Sequence, residues 1–344
     1  MLIPIDNDVD VQRINEKNAA LALNDSITAV GNPKYKEIIY KRLNQQASTV
    51  TSTPEVAQRQ TTVLIDAFNR SRNALISNNY TYLTADVCDM IAETQHSLRS
   101  WKISDLPIEP DTSGVILFEK PKYRASAKEF KDNQIVPLST DVLGLLWTYH
   151  ANTTIKDIHG TPHTNVFWVG LLVDHSQNNK KSTRYGYGSN EFAYAIGSHE
   201  TLTPLWMHEG QDIHDEAIID YLAATMMLME QREIIAEPSI YEPTVKRGKR
   251  RDPVHIPTGD NTLEPMKIST VSLSETVRAA YAANTTNTGT GQKPTKSWWV
   301  KGHWRRQPHG PGKTLRKLIY IHPHISGNIN APLDDRKTIT KVTP

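Results

Sequence analysis

The sequence predicts an α+β protein with a helical N-terminal region, a central, mostly antiparallel sheet beside one long methionine-rich helix, and a basic β-hairpin near the C-terminus. Three observations predict this class. Before residue 100, apolar residues recur at intervals close to 3.6. Between residues 113 and 196, short apolar runs rich in β-branched and aromatic residues are bounded by glycine and proline. Farther along, two basic stretches flank a Gly-Pro-Gly turn at 310–312.

Three segments of the N-terminal region have helical patterns. Residues 11–30 place their apolar side chains on one face, and the Gly-Asn-Pro sequence at 31–33 ends the pattern. Thr53 and Pro54 supply a capping hydroxyl and a first-turn proline for the second helix. Residues 85–98 form the third candidate, which begins after a threonine.

The middle of the chain predicts strands. Residues 113–118 are short, β-branched and bounded by glycine and proline. Residues 142–150 and 165–174 are denser apolar runs with a turn-rich connection between them, which predicts two buried antiparallel strands. Residues 184–196 alternate aromatic side chains and predict a third strand, interrupted at 188–190.

Residues 215–236 predict the clearest helix of the chain, because acidic residues occupy its first turn and Ile218, Leu222, Met226 and Ile234 lie on one broad apolar face. Five prolines and a basic run then indicate a linker, and residues 266–273 predict a strand. The patterns predict four parts. These are a helical region 1–106, a central α/β domain 107–242, a Pro-rich basic linker 243–265, and a C-terminal strand and basic hairpin segment 266–344 that packs on the central domain.

Composition narrows the class of protein. Among 344 residues Cys88 is the only cysteine, so no disulfide framework is possible. The first six residues lack the cationic and apolar parts of a signal peptide, and no run approaches the length of a membrane span. We therefore expect a cytoplasmic protein without a membrane partner. The patterns leave the oligomeric state open.

Charge is distributed unevenly along the chain. The formal net charge is +2, but residues 276–333 contain nine Lys and Arg and no Asp or Glu, which leaves about −7 for the rest. An acidic body with a basic segment is typical of a protein that binds a polyanion.

The basic segment at 298–324 is the main candidate site. Its cations could neutralise phosphates, and its aromatic and arginine planes could stack on unpaired bases, which favours single-stranded or looped RNA. The turn at 310–312 could bring both basic clusters onto one surface of a hairpin. The second interpretation is a solvated hairpin whose tryptophans pack under the sheet. The candidate nucleic-acid-binding residues are Lys301, His303, Trp304, Arg305, Arg306, Lys313, Arg316 and Lys317.

Histidine and acidic residues cluster between 199 and 216. Imidazole and carboxylate are common ligands of transition metals, so His199, His208 and His214 are the candidates for a metal site. Their spacing matches no compact ligand signature, and the HExxH pattern is absent. The Gly-Lys-Thr sequence at 312–314 lacks the earlier glycine of a phosphate loop. We therefore expect no metal, no cofactor and no catalytic residue, and we interpret Cys88 as a core thiol.

The C-terminal segment resembles a family of phage- and mobile-element-encoded proteins whose described member is a type V-A anti-CRISPR protein. The resemblance lies in residues 300–305 (VKGHWR), 310–312 (GPG) and the basic run into 318–323 (LIYIHP), with weaker similarity at 111–118 and 236–240. It implies a non-catalytic inhibitor that acts on the production of a CRISPR nuclease. The implied partner is RNA, a ribosome-associated complex or the nascent nuclease.

Two other functions remain open. A metal-dependent nuclease or hydrolase would use the 199–216 cluster, and stoichiometric metal after purification would favour it. A protein-binding module would dock its basic segment on an acidic partner, and salt-sensitive protein binding would favour it.

Overall fold

A computed structural model of the protein describes residues 2–5, 13–31, 37, 40–41, 54–77, 79–98, 101–131, 134–157, 159–174, 185–197, 202–205, 216–231, 234–241, 266–274, 297–300, 302–321 and 324–327. The α-helices with described bounds are α1 (Glu16–Gly31), α2 (Pro54–Leu75), α3 (Ala85–Thr94) and α4 (Glu216–Met229). The strands are β1 (Leu2–Pro4), β2 (Tyr80–Leu83), β3 (Ser113–Phe118), β4 (Tyr123–Lys131), β5 (Gln134–His150), β6 (Ile155–Lys156), β7 (Pro162–His163), β8 (Val166–Asp174), β9 (Tyr185–Ile196), β10 (Leu202–Leu205), β11 (Ile234–Tyr241), β12 (Met266–Leu273), β13 (Ser297–Val300), β14 (His303–His309), β15 (Leu315–Ile321) and β16 (His324–Gly327).

Ten strands form one mixed sheet, so the α+β class is confirmed. The order across the sheet is β10, β9, β8, β5, β3, β2, β12, β11, and β4 pairs with both β5 and β1. All of these pairs are antiparallel except β2 with β3 and β2 with β12, which are parallel. The expected antiparallel pairing of residues 142–150 with 165–174 is present as β5 with β8. On β9 the register shifts between Tyr187 and Glu191, where the sequence predicted an interruption.

The central strands are apolar on both faces because both faces are covered. Phe167 and Val169 of β8 pack in one core, which also contains side chains of α3 and α4. Trp168 and Leu172 point to the opposite core, which contains side chains of α1 and α2. A strand buried on both faces has no polar alternation. This two-sided burial explains the unbroken apolar runs of the sequence.

The helix predicted at 215–236 is shorter than expected. It ends at Met229, and Ile234 lies in β11, which pairs along its whole length with β12. Pro238 cannot lie inside a helix, and the β-branched residues before it favour a strand. β11 also enters the stretch of prolines that indicated a linker, and residues 243–265 lie outside the described residues.

The N-terminal region contributes to the sheet as well as to the helices. β2 lies between β3 and β12, so the sheet combines strands from the predicted N-terminal, central and C-terminal parts. The hydroxyl of Tyr82 in β2 donates a hydrogen bond of 2.6 Å to the carbonyl of Ile14, just before α1. The sequence pattern did not predict β2, because four residues are too few for periodicity to be recognised.

None of the helices in the described part of the chain is both long enough and apolar enough to cross a membrane.

Candidate nucleic-acid interface

The basic segment folds into an antiparallel hairpin of β14 and β15. Trp304 lies opposite Tyr320, Arg306 opposite Leu318, and Pro308 opposite Arg316. Opposite residues share a face, and successive residues alternate between faces. The core-side face therefore consists of Trp304, Arg306, Pro308, Arg316, Leu318 and Tyr320. The outer face consists of His303, Arg305, Gln307, His309, Leu315, Lys317, Ile319 and Ile321.

The turn of the hairpin depends on its glycines. Gly310 has φ 76° and ψ 178°, and Gly312 has φ 64°, both of which an L side chain rarely adopts. The N–H of Lys313 donates to the carbonyl of Gly310 at 3.1 Å and closes the turn. A Cβ on Gly310 would lie 3.0 Å from Cδ1 of Leu315. The Gly-Pro-Gly sequence thus fixes where the chain reverses.

Three large side chains seat the base of the hairpin on the body of the protein. Trp304 and Tyr320 are each 6% exposed, and Leu318 is also buried, in the core shared with α3 and α4. The Trp304 and Tyr320 ring centroids lie 5.4 Å apart. Burial of this much aromatic surface contributes several kcal/mol, on the order of 2 per side chain. This arrangement corresponds to the second interpretation of the sequence, and it leaves no indole face of Trp304 free to stack on a base.

Two polar contacts join the same base to the segment that follows α3. The backbone N–H of Trp304 donates to the Ser97 hydroxyl at 2.9 Å, and that hydroxyl donates to the Thr94 carbonyl at 2.6 Å. Nη2 of Arg306 lies 3.4 Å from Oδ2 of Asp105. The Asp105 carboxylate also accepts the backbone N–H of Lys102 at 2.9 Å. Arg306 is therefore partly committed to an anchoring contact within the chain.

Beyond its base the hairpin projects as an arm. We call residues 305–317 the distal arm, in which every residue is exposed except half-buried Gln307. Arg305, Lys313, Arg316 and Lys317 make no ion pair with any other described residue. Nη2 of Arg305 donates to Oε1 of Gln307 at 2.6 Å, which holds the guanidinium along the outer face.

The turn does not collect the cations on one surface. Arg305 and Lys317 lie on the outer face, whereas Arg306 and Arg316 lie on the core-side face, and Lys313 lies at the tip. The expectation of a single basic surface was wrong, because neighbouring residues of a strand necessarily point to opposite sides. His303 is half-buried at the base, and Lys301 lies outside the described residues.

The candidate metal ligands His199, His208 and His214 also lie outside the described residues. Within the described residues there is no group of three or more His, Cys, Asp or Glu that could hold a metal ion. Cys88 is fully buried, and burial raises the pKa of its thiol to about 12. A thiol in this state is not a nucleophile at neutral pH.

Another histidine and acid pair closes the short loop between β6 and β7. Nε2 of His163 lies 3.0 Å from Oδ2 of Asp157, and Oδ1 of Asp157 accepts the N–H groups of His159 and Thr161. Burial acts to raise the pKa of Asp157, but the hydrogen bonds from His163, Thr161 and His159 together lower it. Each polar atom of Asp157 is thus used in holding the loop.

Sequence reasoning did not identify Ser97 or Asp105 as parts of this site. Ser97 and Asp105 lie some 200 residues before their partners in the hairpin, and no local pattern connects them. Tyr320 lies within the segment 298–324 that the sequence singled out, and it alternates with Leu318 on the core-side face of β15.

The described residues define a protein built on one large mixed sheet, with an exposed basic hairpin beside it. Residues 230–326 match the model of the AcrVA2-like family, the anti-CRISPR type V subtype A2 family. The match starts immediately after α4 and includes β11, β12 and the complete hairpin. The family resemblance in the C-terminal segment is thereby confirmed. No curated protein and no solved structure matches the chain significantly.

Proposed function

We propose that this chain is an anti-CRISPR-type phage protein that inhibits without catalysis and acts through its basic hairpin. Its action is on the production of a CRISPR nuclease, and its partner is RNA or a ribosome-associated complex that carries the nascent nuclease. The family match over residues 230–326 supports the anti-CRISPR part of this proposal.

The observation that carries the binding part is the exposed, acid-free distal arm within the family-matched region. Arg305, Lys313, Arg316 and Lys317 project from the body without carboxylate partners among the described residues. Cations held away from acids keep their full charge for an external polyanion. Phosphate contacts of this kind supply most of the affinity in nonspecific nucleic-acid binding.

The test uses a quadruple variant with Arg305, Lys313, Arg316 and Lys317 changed to Ala. A matched control changes four exposed cations elsewhere, namely Arg13, Lys17, Lys156 and Lys267, so both proteins lose the same charge. Nuclease abundance is measured in host cells that express a type V-A nuclease together with the parent or either variant. Each protein is also used to capture partners from host lysate, with and without ribonuclease treatment.

We expect the parent and the control to lower nuclease abundance and to capture RNA-dependent partners, and the arm variant to lose both properties. Unchanged nuclease abundance with the parent would contradict the anti-CRISPR function. An arm variant that inhibits as well as the parent would contradict the role of the hairpin. Ribonuclease-resistant, salt-sensitive capture of an acidic protein would replace RNA with that protein as the partner.

A further inference from the structure

Resting on the proposed function, we infer that the distal arm inserts into the open major groove of a nucleic-acid double helix and contacts a phosphate row on each side. The partner is a double helix in which two rows of phosphates flank a groove wide enough for a β-ribbon. A single strand lying along one surface, the target favoured by the sequence pattern, does not fit this arrangement.

The distribution of charge across the ribbon is the first observation. Arg316 and Lys317 are adjacent, exposed and on opposite faces, and Arg305 and Arg306 repeat the arrangement on the other strand, where Arg306 also contacts Asp105. A ligand lying on one face would meet only half of these cations. A groove with phosphates on both walls contacts the cations of both faces at once.

The reach and width of the arm are the second observation. From the pair of exposed Arg306 and buried Leu318 to Gly310 at the turn, four residues extend about 13 Å at roughly 3.3 Å per residue. The major groove of B-form DNA is about 12 Å wide and about 8.5 Å deep, and it admits a two-stranded ribbon. Lys313, at the tip, would therefore reach the groove floor while the flanking cations face the two phosphate rows.

The placement of the aromatic rings is the third observation. Proteins that hold single strands stack unpaired bases on exposed aromatic side chains. In the hairpin the Trp and Tyr rings are those of Trp304 and Tyr320, and both are buried in the core. Without an exposed Trp or Tyr ring, the distal arm offers phosphates its charges but offers bases no Trp or Tyr platform. This combination favours a duplex.

The A-form major groove is deep and narrow, so regular double-stranded RNA should accept the arm poorly. A B-form DNA duplex and an RNA helix opened by a bulge present the same pair of phosphate rows around a wide groove. The probes are therefore a DNA duplex, a bulged RNA hairpin, a regular RNA duplex and a single-stranded RNA of equal length. Affinity is measured by fluorescence anisotropy over a range of salt concentrations.

The deciding variants are Arg316→Gln and Lys317→Gln, which remove one charge from opposite faces at adjacent positions. Both should weaken binding to the DNA duplex by similar factors and each should reduce the slope of log K against log salt by about 0.9, the contribution of one phosphate. Lys156→Gln, which removes an exposed charge elsewhere, should leave the slope unchanged. The parent should bind the DNA duplex and the bulged RNA at least tenfold more tightly than the single strand.

Two results would overturn the inference while preserving the proposed function. One is a parent that binds single-stranded RNA as tightly as the duplexes. The other is weaker binding to the DNA duplex in only one of the two variants, Arg316→Gln or Lys317→Gln, which would place the ligand on one face. If the parent binds none of the four probes, the proposed RNA partner and this inference are overturned together. Binding to the DNA duplex but not to the bulged RNA would support insertion into a groove and would contradict the RNA partner of the proposed function.

Discussion

The backbone N–H of Trp304 donates a hydrogen bond of 2.9 Å to the hydroxyl of Ser97, a residue 207 positions earlier in the chain. This bond connects the family-matched C-terminal region to the turn that ends α3. The hydroxyl also donates its own proton to the carbonyl of Thr94, so it is held at both ends. Ser97 thereby orients the base of the basic arm while taking no part in its exposed surface.

Replacing Ser97 with Ala should lower the free energy of unfolding by about 1 kcal/mol, because the Trp304 N–H loses its acceptor in a half-buried position. Urea unfolding measures the change. Thr154→Ala, which removes an exposed hydroxyl in a loop, should change stability by less than about 0.5 kcal/mol. Equal effects of the two substitutions would show that the Ser97 contact does not stabilise the hairpin base.

The main effect of Trp304→Ala should be a loss of stability. Removing an indole that is 6% exposed leaves a cavity beside Tyr320, and the expected loss is about 3–5 kcal/mol in the free energy of unfolding. Leu315→Ala is the control on the same hairpin, because Leu315 is 54% exposed and should cost little. A folded Trp304→Ala protein of parental stability that had lost RNA binding would restore the stacking role proposed from the sequence.

The contact between Arg306 and Asp105 should be weak. Both side chains retain solvent access, at 36% and 21%, so water screens the pair. A double-mutant cycle with Arg306→Gln and Asp105→Asn should give a coupling free energy of about 0.2–1 kcal/mol that falls at high salt. Asn at position 105 keeps an oxygen that can accept the Lys102 N–H. A coupling of several kcal/mol, insensitive to salt, would mean that the pair is desolvated and essential to the hairpin.

Stability should fall as the pH drops from about 7 towards 5, because of His150. Burial, followed by the charge of Arg70, lowers the pKa of His150 below its ordinary value of about 6.5. The unfolded chain then binds a proton more readily than the folded protein, so stability is complete above the unfolded pKa and decreases below it. His150→Gln should flatten this part of the stability curve, measured by urea unfolding at several pH values. An unchanged slope would assign the pH dependence to other groups.

Protein purified without a chelator should contain no stoichiometric transition metal. The prediction rests on the spacing of His199, His208 and His214, which matches no compact ligand signature. Elemental analysis of the purified chain measures the metal content. About one zinc or manganese per chain, absent from a His208→Ala variant, would contradict the prediction and revive the enzyme hypothesis.

Local chemistry made several parts of the fold predictable. Strand β3 has the predicted limits, and α2 begins at Pro54, as the preference for proline in the first turn of a helix predicts. The paired runs of β5 and β8 were recognisable because both are dense runs of apolar residues joined by a turn-rich connection. The hairpin followed from glycines that adopt positive φ at the turn. Each of these features is recognisable from a few neighbouring residues, so it could be predicted from the sequence.

Other features depend on partners that lie far away in the chain. The end of α4 and the start of β11 follow from pairing with β12, and β2 is a strand because β3 and β12 flank it. The composition of the hairpin determined that it would be basic and free of acids. Only the tertiary structure decided that Trp304 is buried and that the cations divide between two faces, because a side chain's direction depends on which face of its strand meets the core.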